Sequence, residues 1–261
     1  MPVSGAECTV EAVIDGAIGR ITLNRPERMN AVSVAMATEL ATALLDLGRR
    51  RDLNVIVLRG SGGNFCAGGD FDEVERLRAE GPAALKFLFT EFRRACDAIA
   101  DIDVPVVAVV DGVAAAGGFE LMQAADIVLV SATARISDNH IRFGMIPGGG
   151  STARLPRLIG RQQALATLLS GDRLSGRDAV AHGLAYRSYP PADFENEAEA
   201  FVRDLAGRSR QAVVSIKRLV GTGLQGSLDA ALTNETESVV RHIIGSGAAS
   251  AAAFDSREVR S

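Results

Sequence analysis

Between Val104 and Gly150 the chain alternates continuous apolar runs with glycine turns, and this alternation restricts what it can fold into more than any other feature. Val104 to Val110 carries no charged or hydrogen-bonding side chain, which suits a strand covered on both faces. The run breaks at Asp111-Gly112, passes through Ala114-Ala115-Ala116-Gly117-Gly118, and reaches Glu120 at the start of a helix expected to extend to Ala125. A glycine turn that opens a helix presents free backbone N–H groups. After a further apolar strand, Ile127 to Val130, Ser137-Asp138-Asn139-His140 sets an imidazole just ahead of a second glycine turn, Gly144 to Gly150. The two turns together are expected to form the site.

The same unit occurs earlier. Asn54 to Leu58 is an apolar strand, followed by the glycine-rich stretch Gly60 to Asp70 and a helix from about Asp72, so strand, loop and helix recur near 54–80 and 104–125. Repetition of this kind implies stacked turns of strand and helix rather than one open sheet. The chain begins with two β-rich runs, Cys8 to Ile14 and Ile18 to Leu23, joined by the hairpin signal Asp15-Gly16. Ser33 is a suitable N-cap for a helix to about Arg50 with Met36, Leu40, Leu44 and Leu47 on one face. Gly81-Pro82 interrupts a charged segment before an amphipathic helix over Ala83 to Ala100, and the Glu75 to Phe92 segment is expected to wall the site. From Arg154 onward the pattern is mostly helical, with helices over 161–169, 175–182, 193–206, 211–220 and 228–244. The reading is an α/β core over 1–200 and a helical region over 201–261. Val202, Leu205, Val213, Ile216, Leu219 and Val220 give that region more apolar surface than it covers alone, so an oligomer is expected.

At 261 residues and 47% hydrophobic the chain can bury a large core, and its formal net charge of -4 comes without a basic stripe, which argues against a nucleic-acid partner. Cys8, Cys66 and Cys96 have neither disulfide-framework nor metal-ligand spacing. No basic-then-apolar leader opens the sequence and no apolar run is long enough to span a bilayer, so a soluble cytoplasmic protein without membrane or metal is expected. The glycine loops do not spell a phosphate site. Gly144 and Gly149 have P-loop spacing, but Gly150-Ser151 stands where Lys-Ser/Thr is required; Gly60 and Gly62 are followed by Phe65 where a dinucleotide fingerprint needs its third glycine. No GxSxG elbow is present. Two readings of the glycines stay open: they serve only tight turns, or two N–H groups from different turns meet as an oxyanion hole for a thioester carbonyl that becomes an enolate.

Ordered along the chain, Asn24-Arg25-Pro26 with Met29-Asn30-Ala31, then Phe65-Cys66-Ala67-Gly68-Gly69-Asp70, Asp111 to Glu120, Ala125-Asp126-Ile127, Gly144 to Gly150, and Ala179 with Gly183-Leu184 resemble the crotonase, or enoyl-CoA hydratase/isomerase, superfamily. The resemblance covers nearly the whole chain. It implies an α/β spiral of ββα turns with a helical C-terminal region, a homotrimer or dimer of trimers, no permanently bound cofactor, and an acyl-CoA thioester as substrate. It makes the N–H groups of Gly69 and Gly117 the oxyanion donors and Glu120 an acid/base, and lays Arg28, Met29, Ala31, Ala67, Asp70 and Phe71 along the coenzyme A arm, with Lys217 near its phosphates.

One position departs from the pattern. Hydratases of this family work one water with two carboxylates, and the second of these is His140 here. Glu120 and His140 can divide the same work, because an imidazole titrates near neutral pH. The histidine also resembles that of retro-Claisen C–C hydrolases, although Gly148-Gly149 stands where those use an acid; the aspartate nucleophile of dehalogenase relatives is missing from the same turn. Asp138 either orients the ring or caps the turn. Three functions follow: hydration or double-bond isomerisation of an enoyl-CoA, C–C hydrolysis with His140 as base, and coenzyme A binding without catalysis.

Overall fold

A computed structural model of the chain describes residues 8–246; the reading of a missing leader concerns residues mostly outside this span, and residues 247–261 of the C-terminal region lie outside it too. Strands β1 (Val10–Asp15) and β2 (Ile18–Leu23) form the expected antiparallel hairpin, its turn made possible by Gly16 at φ +59°. After a 3₁₀ turn at Pro26–Arg28, Ser33 Oγ accepts the Met36 N–H at 3.1 Å and caps α1 (Val34–Gly48). Met36, Leu40, Leu44 and Leu47 lie on its buried face. Then follow β3 (Val55–Gly60), α2 (Phe71–Glu80), α3 (Pro82–Asp101), β4 (Val106–Val110), β5 (Val113–Ala115), α4 (Gly117–Ala124), β6 (Ile127–Ser131) and β7 (Arg135–Ser137). A second 3₁₀ turn, His140–Phe143, leads into α5 (Ser151–Ile159), α6 (Arg161–Ser170), α7 (Gly176–Ala181), β8 (Arg187–Tyr189) and α8 (Phe194–Ala206).

Six strands form one sheet in the order β1-β2-β3-β4-β6-β8, parallel except for the first pair. The stacked turns expected from the repeat therefore do share a sheet. What makes the chain a spiral is a second, short β-paired stretch in each turn, either a three-residue strand or a single bridge. Val32 bridges Gly69, Cys66 bridges Ala114, β5 pairs with β7, and Ile136 bridges Leu174. Each turn thus runs long strand, short strand, helix: β2, Val32 and α1; β3, the Cys66–Gly69 stretch and α2 with α3; β4, β5 and α4; β6, β7 and α5.

One face of the sheet is closed by α8, whose Phe194, Ala198 and Val202 pack with Val55, Val57, Val107, Val109 and Leu129. Full burial of such side chains stabilises by about 1.5–3 kcal/mol each. The compact unit that contains the sheet therefore runs through α8 to Gly207. A second unit starts at Arg208 and holds α9 (Arg210–Gly223) packed on α10 (Leu228–Ser246). On these helices Ile216, Val220, Leu224, Leu228, Ile243 and Ile244 are each more than half exposed. No helix among the described residues is long and apolar enough to cross a membrane.

Asn30, fully buried, links two turns of the spiral. Its Oδ1 accepts the Arg25 N–H at 2.9 Å, and its Nδ2 donates to the carbonyls of Ser61 (2.9 Å) and Asn64 (2.8 Å). Asn30→Ala orphans these backbone groups and is expected to cost about 1–3 kcal/mol, read as a lower urea midpoint with unchanged slope.

Candidate active site

The short strands bring the glycine turns together. Val32 N–H donates to Gly68 O (2.7 Å), Asp70 N–H to Val32 O (2.9 Å), and Ala116 N–H to Ser137 O (3.0 Å). Alternation along the ladder turns the intervening amides the other way. Among the described residues neither the Gly69 N–H nor the Gly117 N–H meets a protein acceptor. The two lie side by side: Gly69 N is 3.6 Å from where a Cβ on Gly117 would stand. Only glycine allows this approach, since Gly68 has φ +115° and a Cβ there would stand 2.8 Å from Ala116 Cβ. Ala116 itself is held at φ 46°, ψ -116°, an uncommon conformation for a residue with a side chain, just before the helix that Gly117 opens.

Glu120 projects from the first turn of α4 and is 2% exposed. Its Oε1 accepts the N–H of Gly149 at 2.7 Å and of Ser151 at 3.1 Å, so one oxygen is fixed at the start of α5. Oε2 accepts no hydrogen bond from the described residues. The Gly149 turn is braced in its turn by Arg154, which donates to Gly149 O at 2.6 Å and to Asp97 Oδ1 at 2.7 Å. Burial pushes the Glu120 carboxyl above the ordinary range; the Ser151 and Gly149 amides and the charge of His140 oppose this, and that of Asp138 adds to it.

His140 starts the second 3₁₀ turn, with Nδ1 2.7 Å from Asp138 Oδ1. Burial works against its imidazolium, but the Asp138 hydrogen bond and the charges of Asp138 and Glu120 outweigh it and hold its pKa above the ordinary value. Asp138, 1% exposed, anchors the ring from behind.

Gly69, Gly117, Glu120 and His140 line a single cavity of about 320 Å³, otherwise walled by Phe71, Val74, Leu88, Phe89, Phe92 and other mostly apolar residues. Leu88, Phe89 and Phe92 come from the segment expected to wall the site. Of the residues expected along the coenzyme A arm, Ala67 and Phe71 line the cavity. Arg28, Met29, Ala31 and Asp70 do not. Arg28 pairs with Asp72 at 2.9 Å, and the buried Ala31 gives its carbonyl to Arg25 at 2.7 Å. Met29 is half exposed in a left-handed conformation. Asp70 ion-pairs with Arg25 at 2.8 Å and caps α2 through the Glu73 N–H; burial disfavours its charge, but these partners win and hold its pKa below the usual carboxylate range. Lys217 lies on α9 of the second unit, half-buried. Among the described residues no group of three or more His, Cys, Asp and Glu is placed to hold a metal.

Sequence reasoning did not find the Gly149 and Ser151 amides or the Arg154 brace. Gly148-Gly149-Gly150 was legible as a turn, and the serine after it marks a helix start, but which carboxylate such a start receives is a long-range fact.

Because the folded pKa of Glu120 is raised, its ionisation disfavours the folded state, and this loss sets in as pH rises through the ordinary carboxylate value, about 4.3. Glu120→Gln is therefore expected to raise the thermal midpoint at neutral pH, with the gain fading in acid. His140 has the opposite sign: its raised pKa adds stability below about 6.5 that is lost as pH rises through the folded value. Thermal scans of wild type, Glu120→Gln and His140→Gln across pH check both.

A family model described as enoyl-CoA hydratase/isomerase matches residues 13–246. A Rhodobacter capsulatus protein named "Probable enoyl-CoA hydratase" is 34% identical over 227 residues, covering 87% of this chain and 86% of that protein. Among solved structures, that of an enoyl-CoA hydratase from Bacillus anthracis matches with TM-score 0.88 at 26% identity over 97% of each chain. One of an enoyl-CoA hydratase from Polaromonas matches with TM-score 0.89 at 28% identity, covering 95% of this chain and 97% of that one. With the spiral of ββα turns, the paired glycine amides and a match over residues 13–246, the chain belongs to the enoyl-CoA hydratase/isomerase family.

Proposed function

We propose that the chain hydrates the double bond of a 2-enoyl-CoA thioester. The observation that carries this is the meeting, in one cavity, of two unshared amides, Gly69 and Gly117, with a carboxylate fixed by one oxygen and open at the other. The amides take the thioester oxygen, whose charge grows as the enolate forms; one such donor is worth about 10²–10³ in rate. Glu120 Oε2 takes a proton from water as its oxygen bonds C3, and the π pair moves through C2 to the thioester. His140 gives a proton to C2. The net change is addition of one water, and a proton passed from Glu120 to His140 resets the pair. Without the water step, the same groups move a proton between carbons and isomerise the double bond.

A cavity of about 320 Å³ has room for an acyl group and a reacting water rather than a whole coenzyme A. The coenzyme A arm then runs outward past Ala67 and Phe71, with Arg28, Met29, Ala31 and Asp70 shaping its path and Lys217 as a candidate phosphate contact. No resident cofactor is required. The exposed apolar side chains of α9 and α10 support a trimer or dimer of trimers, and the free thiols of Cys8, Cys66 and Cys96 suit a reducing cytoplasm.

The Asp138-paired ring supports a second reading, in which neutral His140 activates water to cleave a C–C bond of a β-keto thioester. The two readings differ in sign with pH. Hydration needs His140 protonated and Glu120 ionised, so turnover of crotonyl-CoA, followed by loss of enoyl-thioester absorbance, is expected to rise above the ordinary carboxylate range and fall only above the ordinary imidazole value of about 6.5. A base role makes the rate rise where hydration falls. Glu120→Gln is expected to lower turnover by about 10²–10⁴ while thioester binding, measured by calorimetry, persists; full activity in that variant removes Glu120 from the reaction.

A further inference from the structure

Asp138 sits between β7 and the 3₁₀ turn, outside the cavity wall; the cap residue of that turn is Asn139, which makes no side-chain cap bond. Its Oδ1 is 2.7 Å from His140 Nδ1 and 3.5 Å from the His140 N–H. Its Oδ2 is shielded from solvent and has no partner among the described residues. A buried carboxylate with one idle oxygen is costly unless the partner on its other oxygen carries opposite charge. Here that partner is the imidazole of a cavity residue.

We propose that Asp138 is a positioning residue for proton transfer: by accepting the Nδ1 proton of His140 it fixes the ring and leaves Nε2 as the nitrogen that exchanges a proton with substrate. In hydration Nε2–H gives its proton to C2, the ring becomes neutral with its other proton kept on Nδ1, and the proton that Glu120 took from water returns to Nε2. The charged groups facing the ring are Asp138, from its own segment, and Glu120, from α4. Apart from Glu120 and His140, no side chain lining the cavity carries a charge. Without Asp138, Glu120 alone stands against burial, and the imidazolium that donates to C2 loses its closest stabilising partner.

The rate consequence rests on the hydration reading; the tautomer consequence does not. Both are read on the full chain. Nitrogen NMR of histidine-labelled protein, with His140 distinguished from the other two histidines by its loss in His140→Gln, is expected to find Nδ1 protonated in the neutral ring and Nε2 as the titrating nitrogen. Asp138→Asn keeps the shape and, because Oδ2 has no partner, severs no second bond; it is expected to move the His140 titration to lower pH and mix the tautomers. It is also expected to lower kcat for crotonyl-CoA roughly 10²-fold with little change in KM, and to have no further effect in a His140→Ala background. An unchanged titration and tautomer in Asp138→Asn overturns the proposal, as does equal slowing in the His140→Ala background. If Asp138→Asn does not fold, wild type alone decides, since a neutral ring protonated at Nε2 overturns it. If wild type turns over no enoyl thioester, the hydration reading fails and the NMR result still decides the role of Asp138.

Discussion

Glu120 Oε1 accepts the N–H groups of Gly149 and Ser151, and the rest of the site depends on that cross-brace. It joins the start of α4 to the start of α5, helices from successive turns of the spiral. The brace demands close approach. A Cβ on Gly149 would stand 2.3 Å from Phe92 Cε1 and 2.9 Å from Glu120 Oε2, and one on Gly148 2.7 Å from Phe89. Glycine in this turn thus lets the cavity wall, the backbone donors and the carboxylate occupy adjoining space. Fixing one oxygen by amides rather than by a cation leaves the group short of full charge compensation, which is why burial still raises its pKa.

The ladder of short strands does for the amides what the brace does for the carboxylate. Hydrogen bonds at Val32 and Asp70 hold the backbone on both sides of Gly69, and one at Ala116 holds it just before Gly117 opens α4, so their N–H directions are set before any ligand arrives. The family's two-carboxylate arrangement carries one mobile proton between two acids. In this chain His140 is flanked by two carboxylates, Glu120 and Asp138; with the ring protonated, as the proposed hydration requires, the net charge and the single mobile proton are the same. The histidine departure is therefore compatible with hydration as long as the carboxylate behind it remains.

Much of this was legible in the residues and some was not. The hairpin at Asp15-Gly16, the Ser33 cap, the break at Gly81-Pro82 and the apolar strands announce themselves through local chemistry, and α2 begins at Phe71, one residue before the expected start. Strands β5, β7 and β8, of three residues each, did not: runs such as Val113-Ala114-Ala115 have no alternation to read, and they are strands only because neighbouring turns pair with them. Gly69, Gly117, Glu120 and His140 were picked out by the motif string, and all four line one cavity. The resemblance laid Asp70 along the coenzyme A arm; the engagement of its carboxylate by Arg25, across 45 residues, leaves no trace in local sequence.

The most direct measurement is incubation with a panel of 2-enoyl-CoA thioesters in oxygen-isotope-labelled water, with the products weighed by mass spectrometry. Water addition predicts the label at C3 of an intact 3-hydroxyacyl-CoA, appearing about 10²–10⁴ times more slowly in Glu120→Gln. Label in no acyl product of any thioester would contradict the account, and so would label appearing only in a free carboxylic acid split from the acyl chain of a β-keto thioester.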